Sequence, residues 1–462
     1  MDKIKLLQSR RKKVLEAGKD IRAVLSQLLD ADSLVELSGF SFSKNEFYGE
    51  DAEGEGVVTG FGTVDGYPVY IAAQNFDVLS GGVSKENCEK ILKCLALAEK
   101  NSTPVIYVLN SLGVQIGEGV TVLEGLAKVL SKAAKLHGVV PQFAIVNGEV
   151  YGQSALLAAC ADFTFFTKQG VLAADSPFVI SAKSGANLPK EQVGGAKALN
   201  KANIVSFEAD IAQARESVAK ILAVLPDYSA TVVDNGEDLN RCFPALNEKC
   251  SADDLIASVF DKDTALEIGK VCAPEARCVL GRVGGISVAA VVFDGGETGV
   301  SLDETSLSKI TSFAEFASYY SLPFVTFADT CGFKADLATA NSLAMRGAFK
   351  LMETLDLIEN AKIAVVYKKA IGLGYTLFAA KSMGYDYSYA FANAKIALFD
   401  SVQGAEIEFA GEKNADKAKL AEKYADENSD PVNAAKNGYI DNIIEPQFVR
   451  QYLIASLQML LK

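Results

Sequence analysis

The stretch TPVIYVLNSLGVQIGEG, residues 103–119, is a continuous apolar run that ends in a glycine-rich loop. An uninterrupted apolar strand is typical of a parallel sheet that is covered on both faces. Helical patterns flank this stretch, at residues 85–100 before it and residues 122–136 after it. Alternation of strands with helices of about a dozen residues or more predicts βαβ crossovers and a largely parallel sheet.

The same order of elements recurs about 220 residues further along the chain. The strand LPFVTFADTCGF at 322–333 repeats the stretch above, and VLGRVGG at 279–285 repeats VVTGFGTVDG at 57–66. A generic α/β alternation is the other explanation, but matching order, spacing and glycine-rich strand ends favour duplication. We therefore predict an α/β protein of two duplicated domains. The predicted domains are residues 1–245, which include an N-terminal helical arm, and residues 246–462.

Composition and charge exclude several classes of function. Lys+Arg number 45 and Asp+Glu 58, a net charge of −13, which disfavours nucleic acid and anionic membranes as partners. His137 is the single histidine, so a Ser-His-Asp triad or a histidine-rich metal site is disfavoured, and we expect no metal in this chain. The eight cysteines show no C-x-x-C spacing, which indicates a reducing compartment. Without a signal-like or membrane-spanning stretch, we predict a cytoplasmic protein with no direct membrane insertion.

Two of the predicted strand ends share a pattern in which glycine and small residues run directly into a helix. They are NGEVYGQSALLAA at 147–159 and AIGLGYTLFAA at 370–380. Two successive amides at such a turn can hold a developing oxyanion, and this chemistry needs no histidine. The alternative is that glycine only relieves the backbone at these turns. The nearby carboxylates Glu118, Asp162 and Asp329 are either caps and loop anchors or acid–base groups, and the sequence leaves that choice open.

These landmarks, in this order, resemble the carboxyltransferase component of biotin-dependent acyl-CoA carboxylases and decarboxylases, the propionyl-CoA carboxylase β-subunit type. The resemblance runs from LLDADSLVEL at 28–37 to GYIDNIIEPQFVR at 438–450, through GRVGG, KKAIGLGY and SVQGAEI. It implies two crotonase-like domains of the ClpP/crotonase ββα-superhelix type.

The resemblance also implies an activity and its residues. The activity is movement of a carboxyl group between carboxybiotin on a separate carrier protein and a short acyl-CoA, through an enolate. The oxyanion hole for the thioester maps to Gly152 and Gln153, and the hole for the biotin ureido oxygen maps to Leu373 and Gly374. The implied substrate-binding positions are Ser111, Gly113, Gly148, Ser154, Cys331, Gly332 and Gly372.

The implied partners are a biotin carboxyl carrier protein and biotin carboxylase or decarboxylase subunits. The family's site is shared between subunits, so a homodimer or a hexamer is implied. The chain departs from the usual family motifs at Leu112, Gln153 and Leu373, where glycine is common. Two other functions therefore stay open. One is a non-catalytic carboxyltransferase-like paralogue that fills a place in an assembly, and the other is a crotonase-like acyl-CoA enzyme that works without biotin.

Overall fold

The computed structural model describes residues 2–41, 53–199, 201–229, 232–234, 236–411 and 416–461. The chain divides into two compact units, residues 1–222 (unit 1) and residues 223–462 (unit 2). The two units are defined by spatial contacts, which do not test where independently folding domains begin and end. The domain boundary predicted between residues 245 and 246 therefore stays a prediction.

Unit 1 begins with the expected helical arm and continues as an alternation of strands and helices. Its helices are α1 Lys3–Ala17, α2 Lys19–Leu28, α3 Lys85–Asn101, α4 Val120–Leu136, α5 Ala155–Cys160, α6 Pro177–Ser184, α7 Lys190–Gly194 and α8 Ile211–Val224, the last two residues of which belong to unit 2. Its strands are β1 Val35–Leu37, β2 Val57–Val64, β3 Tyr67–Gln74, β4 Val105–Ser111, β5 Gln142–Tyr151, β6 Phe163–Phe166, β7 Val171–Ala173 and β8 Phe207–Glu208. The sheet has the order β1-β2-β3-β4-β5-β6-β8, with β7 paired to β5.

Unit 2 repeats this alternation. Its helices are α9 Ala252–Val259, α10 Glu304–Tyr319, α11 Leu337–Ala340, α12 Ala344–Leu357, α13 Leu373–Phe378, α14 Ser401–Glu408, α15 Lys417–Asn428, α16 Pro431–Lys436 and α17 Val449–Leu460. Its strands are β9 Leu266–Ile268, β10 Ala276–Val283, β11 Ile286–Phe293, β12 Val300–Leu302, β13 Phe324–Phe333, β14 Lys362–Ile371, β15 Tyr387–Phe391, β16 Lys395–Ala397 and β17 Asn442–Ile444. The sheet order is β17-β15-β14-β13-β11-β10-β9, with β12 paired to β13 and β16 to β14.

Each sheet combines one antiparallel hairpin with parallel strands, and a short antiparallel strand, β1 or β9, pairs with the first strand of the hairpin. The hairpins are β2–β3 and β10–β11, and the strands that follow them pair in parallel. Both hairpin turns have positive φ at their two central residues, Asp65–Gly66 and Gly284–Gly285, the geometry that matches the twist of two-residue hairpins. The central strands are buried on both faces, which explains their continuous apolar sequence. No helix in the described ranges has both the length and the apolarity to span a bilayer.

The registers of the two sheets confirm the duplication. In each sheet the pairing register of two central parallel strands shifts at the same place. From one residue pair to the next, the first strand advances by two residues and the second strand by four. These pairs are Leu109–Val146 and Ser111–Val150 in unit 1, and Ala328–Val366 and Thr330–Ala370 in unit 2. Equivalent residues are thus 219 apart on the first strand and 220 apart on the second.

A buried lysine occupies the same place in each unit. The Lys90 ammonium donates to the carbonyl oxygens of Gly54 at 2.7 Å and Val57 at 2.5 Å. Lys309, which is 219 residues further on, donates to two carbonyls of unit 2 in the same way. Only 3% of each lysine is exposed, so each ammonium lies inside its unit and ties a loop to helix α3 or α10.

We predict that Lys90→Met changes how stability depends on pH. Burial lowers the pKa of Lys90 from 10.5 to about 8, so between these values the unfolded chain binds this proton more tightly than the folded chain does. The free energy of unfolding of the wild type, relative to that of Lys90→Met, should therefore rise by about 1–2 kcal/mol from pH 8 to pH 10. Urea denaturation of both proteins at the two pH values measures this difference. A difference that stays flat across the window would contradict the assignment.

Candidate functional site

Two strand-to-helix turns stand at the carboxyl ends of the equivalent strands β5 and β14. In unit 1, β5 ends at Tyr151 and a 3-10 turn, Gly152–Ser154, leads into α5. In unit 2, β14 ends at Ile371 and Gly372 is the N-cap of α13. Gly152 has φ +69° and Gly372 has φ +53°, which strain any residue with a Cβ. The sequence predicted these turns, and the structure makes them equivalent at a spacing of 220 residues.

The amides of both turns are available as donors. The amide of Gly372 donates to the carbonyl of Ala397 at 3.0 Å, so the first available amides of that turn belong to Leu373 and Gly374. These residues open α13, and the first amides of a helix have no acceptor within the helix. The amides of Gly152 and Gln153 open the 3-10 turn of unit 1 in the same way. None of the four amides has a hydrogen-bond acceptor within the part of the chain that the structure describes.

Glycine keeps the space around the unit 2 turn clear. A Cβ at Gly332 would lie 3.4 Å from the amide nitrogen of Leu373. A Cβ at Gly374 would lie 2.6 Å from Cγ2 of Thr330, so α13 packs against β13 only because residue 374 is glycine. At Gly152 such a Cβ would have no atom of the described residues within 4 Å, and the Gln153 side chain is exposed.

The other predicted positions of unit 1 lie at the end of β4, in the loop after it, in β5 and in the 3-10 turn that follows β5. Ser111 is buried, and its hydroxyl exchanges two 3.2 Å hydrogen bonds with the backbone of Gly113. A Cβ at Gly148 would lie 2.3 Å from the Asn110 Oδ1 atom, so that amide side chain lies directly against the glycine. Ser154 is fully buried, and its hydroxyl has no partner among the residues that the structure describes. A substrate-binding role for these residues stays a prediction.

Cys331 of unit 2 serves as a link between two backbone segments. Its thiol donates to the carbonyl of Thr298 at 2.9 Å, and burial raises the pKa of the thiol. Lys369 donates to the carbonyls of Glu297 and Thr298, at 2.9 and 3.0 Å. Both side chains therefore hold the 295–299 loop against the strand ends, and a protonated Cys331 is not a nucleophile.

Two of the three carboxylates left open by the sequence are structural anchors. Glu118 accepts a 2.7 Å hydrogen bond from the Lys85 amide at the start of α3, which ties the loop after β4 to that helix. Asp162 accepts a 2.7 Å hydrogen bond from the amide of Gln142, and its other oxygen lies 3.4 Å from Nδ1 of His137. His137 itself is the C-cap of α4, away from the glycine turns.

Sequence reasoning did not single out Lys368, which is close to the third carboxylate. The Lys368 ammonium lies 3.6 Å from Oδ2 of Asp329, and Asp329 is fully buried. Aligning the repeats could have found this pair, because KK at 368–369 replaces GE at 148–149. Within the described residues no three His, Cys, Asp or Glu side chains come together to hold a metal ion.

Two duplicated units that each present a paired-amide turn place the protein in the crotonase-like class. The chain belongs to the carboxyl transferase domain family, which matches residues 13–462. The predicted family and fold class are therefore confirmed.

Two relatives and a solved structure are similar to this chain over nearly its full length. The chain is 29% identical to methylmalonyl-CoA decarboxylase subunit alpha of Veillonella parvula, covering 99% of this chain and 96% of that protein. It is 30% identical to a putative propionyl-CoA carboxylase beta chain of Bacillus subtilis, covering 99% and 92%. The crystal structure of transcarboxylase 12S, a hexamer with hydrolysed methylmalonyl-CoA bound, superimposes with a TM-score of 0.91 at 27% identity, covering 98% of this chain and 94% of that one.

Proposed function

We propose that this protein is the carboxyltransferase subunit of a biotin-dependent enzyme and that it moves a carboxyl group between biotin and a short acyl-CoA. The observation that carries the proposal is the pair of equivalent turns, each with two amides free to donate. Membership of the carboxyl transferase domain family supports this chemistry for the two turns. A reaction with two oxygens that become negatively charged needs two such sites, one for the thioester and one for the ureido group.

We propose that the two turns bind different oxygen atoms. We assign the Gly152 and Gln153 amides to the thioester oxygen and the Leu373 and Gly374 amides to the biotin ureido oxygen. When bound, biotin on a carrier protein supplies a ureido nitrogen that takes up or releases the carboxyl group. The residues of unit 2 suit it, because Leu373 and Gly374 supply two adjacent donors and Gly332 places no side chain next to the Leu373 amide. Each turn binds and orients an oxygen, and its helix dipole stabilises the charge.

We further propose a homodimer or hexamer in which subunits share the site. Large apolar side chains are exposed near the carboxyl ends of the strands in both units, where a second copy could cover them. They include Ile116, Val120 and Phe178 in unit 1 and Leu337, Met345 and Leu398 in unit 2. The partners would be a biotin carboxyl carrier protein and a carboxylase or decarboxylase subunit. The eight free cysteines support a cytoplasmic location.

The reverse half-reaction tests the proposal. We expect the purified protein to remove the carboxyl group from one of malonyl-CoA, methylmalonyl-CoA or glutaconyl-CoA only when free biotin or biocytin is present. The measurement is loss of the carboxylated thioester by liquid chromatography, with and without biocytin. The same protein with biocytin and an uncarboxylated acyl-CoA is the control for thioester hydrolysis.

The other outcomes separate the functions that the sequence left open. Loss of the carboxyl group at the same rate without biocytin would contradict the proposal and identify a crotonase-like enzyme that works without biotin. No loss from any thioester, in a protein that keeps its oligomeric state, would contradict it in favour of a non-catalytic assembly subunit.

A further inference from the structure

The duplicated turns rest on different side chains in the two units. The register that relates the sheets makes Asn110 equivalent to Asp329 on the first strand and Gly148 equivalent to Lys368 on the second. In unit 1 the Asn110 amide lies against the bare backbone of Gly148. In unit 2 the same two places hold a carboxylate and an ammonium 3.6 Å apart. A neutral contact at one turn is therefore replaced by an ion pair at the other.

The hydrogen bonds of Asp329 compensate only in part for its complete burial. None of its surface is exposed, its Oδ2 atom accepts a 3.2 Å hydrogen bond from the amide of Gly295, and its Oδ1 atom has no hydrogen-bond partner among the described residues. Burial raises the pKa of Asp329, and the nearby Lys368 ammonium opposes that rise. A buried, incompletely paired carboxylate lowers stability, so a contribution to structure alone explains this group poorly.

Contacts run from Asp329 to the turn. A Cβ at Gly299 would lie 3.4 Å from the free Oδ1 atom of Asp329 and 2.9 Å from Sγ of Cys331, so the 295–299 loop packs closely on both. Cys331 precedes Gly332, whose missing side chain leaves the Leu373 amide open. Asp329 thus lies three residues before Gly332, on the strand end that contacts the Leu373 amide nitrogen.

Lys368 also contacts the aromatic ring of Tyr367. Its ammonium lies 5.1 Å from the centre of the Tyr367 ring, and the Tyr367 hydroxyl donates to the carbonyl of Phe293. About a quarter of the Lys368 side chain, 28%, is exposed. The Lys368 ammonium thus lies on the bulged segment of β14, five residues before Leu373 in the chain.

We propose that Asp329 and Lys368 are positioning residues that hold β13 and β14 so that the Leu373 and Gly374 amides point at the biotin ureido oxygen. The pair acts through the strand ends and does not touch the ligand. The identity of the ligand, biotin, rests on the proposed function. The inference adds that the biotin turn, and not the thioester turn, depends on an ion pair whose carboxylate is fully buried.

The test compares Lys368→Met and Asp329→Asn with the wild type in the biocytin-dependent reaction. We expect the KM for biocytin to rise about tenfold or more, while the dissociation constant for acyl-CoA changes by less than about twofold. Lys368→Arg, which keeps the charge, should recover most of the loss. The matched control is Lys381→Met, which removes one partner of the Lys381–Asp441 ion pair elsewhere in unit 2 and should leave both constants unchanged. Equal loss of biocytin and acyl-CoA binding, or no loss of either, would overturn the inference.

A second measurement needs no activity. Hydrogen exchange of peptides that cover residues 295–299 and 371–376 should be about tenfold faster in Lys368→Met than in Lys381→Met, because the strand ends lose their anchor. Exchange that is the same in both variants would overturn the positioning role. If the wild type shows no biocytin-dependent reaction, the proposed function fails, and the exchange comparison still decides the role of the pair.

Discussion

Leu373→Pro should lower the rate of carboxyl transfer to or from biocytin by about 100-fold or more and leave acyl-CoA binding intact. Leu373 is the first residue of α13, a position where proline fits the helix geometry and removes only an amide hydrogen that has no intrahelical acceptor. The lost hydrogen is one of the two proposed donors to the ureido oxygen, and loss of one oxyanion-hole donor costs about two to three orders of magnitude. Steady-state rates with biocytin and acyl-CoA titrations measure the two effects separately.

The matched variant for this substitution is Leu373→Ala. It shortens the side chain by a similar amount and keeps the amide hydrogen, so its rate should stay within a few-fold of the wild type. If Leu373→Pro is folded and as active as Leu373→Ala, the Leu373 amide does not bind the reacting oxygen. Proline at Gly374 would be a poorer probe, because any Cβ there meets Thr330 at 2.6 Å. Gly152 has φ +69°, which proline cannot adopt.

Gly332→Ala should lower biocytin-dependent transfer by about 10- to 100-fold. The added methyl carbon would lie 3.4 Å from the Leu373 amide nitrogen, where an acceptor must come to about 2.9 Å. We expect it to hinder the approach of an acceptor to this amide without removing the donor. The measurement is kcat/KM for biocytin, together with the dissociation constant for acyl-CoA, which should not change.

Backbone strain is the other consequence of this change and has a direct control. Gly332 and Gly66 share φ +82°, and a Cβ at Gly66 has no atom within 4 Å. Gly66→Ala therefore reports the cost of a left-handed alanine alone, about 1 kcal/mol. It should lower the midpoint of urea unfolding slightly and keep the transfer rate. Equal loss of transfer in both variants would assign the effect to strain and contradict a blocked amide.

Much of the fold was predictable because burial on both faces of a parallel sheet leaves long apolar strands in the sequence. The duplicated α/β units, the helical arm and both glycine turns followed from that periodicity and from glycine at strand ends. The contacts of Glu118 and Asp162 were not predictable, because an anchoring carboxylate and a catalytic one look alike in sequence. The hydrogen bonds that they accept from the amides of Lys85 and Gln142 identify both carboxylates as anchors.

By itself, then, the amino-acid sequence determined the element order, the internal repeat and the family of this protein, since each is written in local patterns of residue type. Tertiary structure alone decided which side chains meet. The approach of Gly332 to the Leu373 amide brings the end of β13 next to the start of α13, two segments that are adjacent in space but separated in the chain by α11, α12 and β14. The pairing of Asp329 with Lys368 depends on the same register, and a shift of one residue would part them. The site's donors are backbone amides, which every residue except proline carries, so only geometry shows which of them are free.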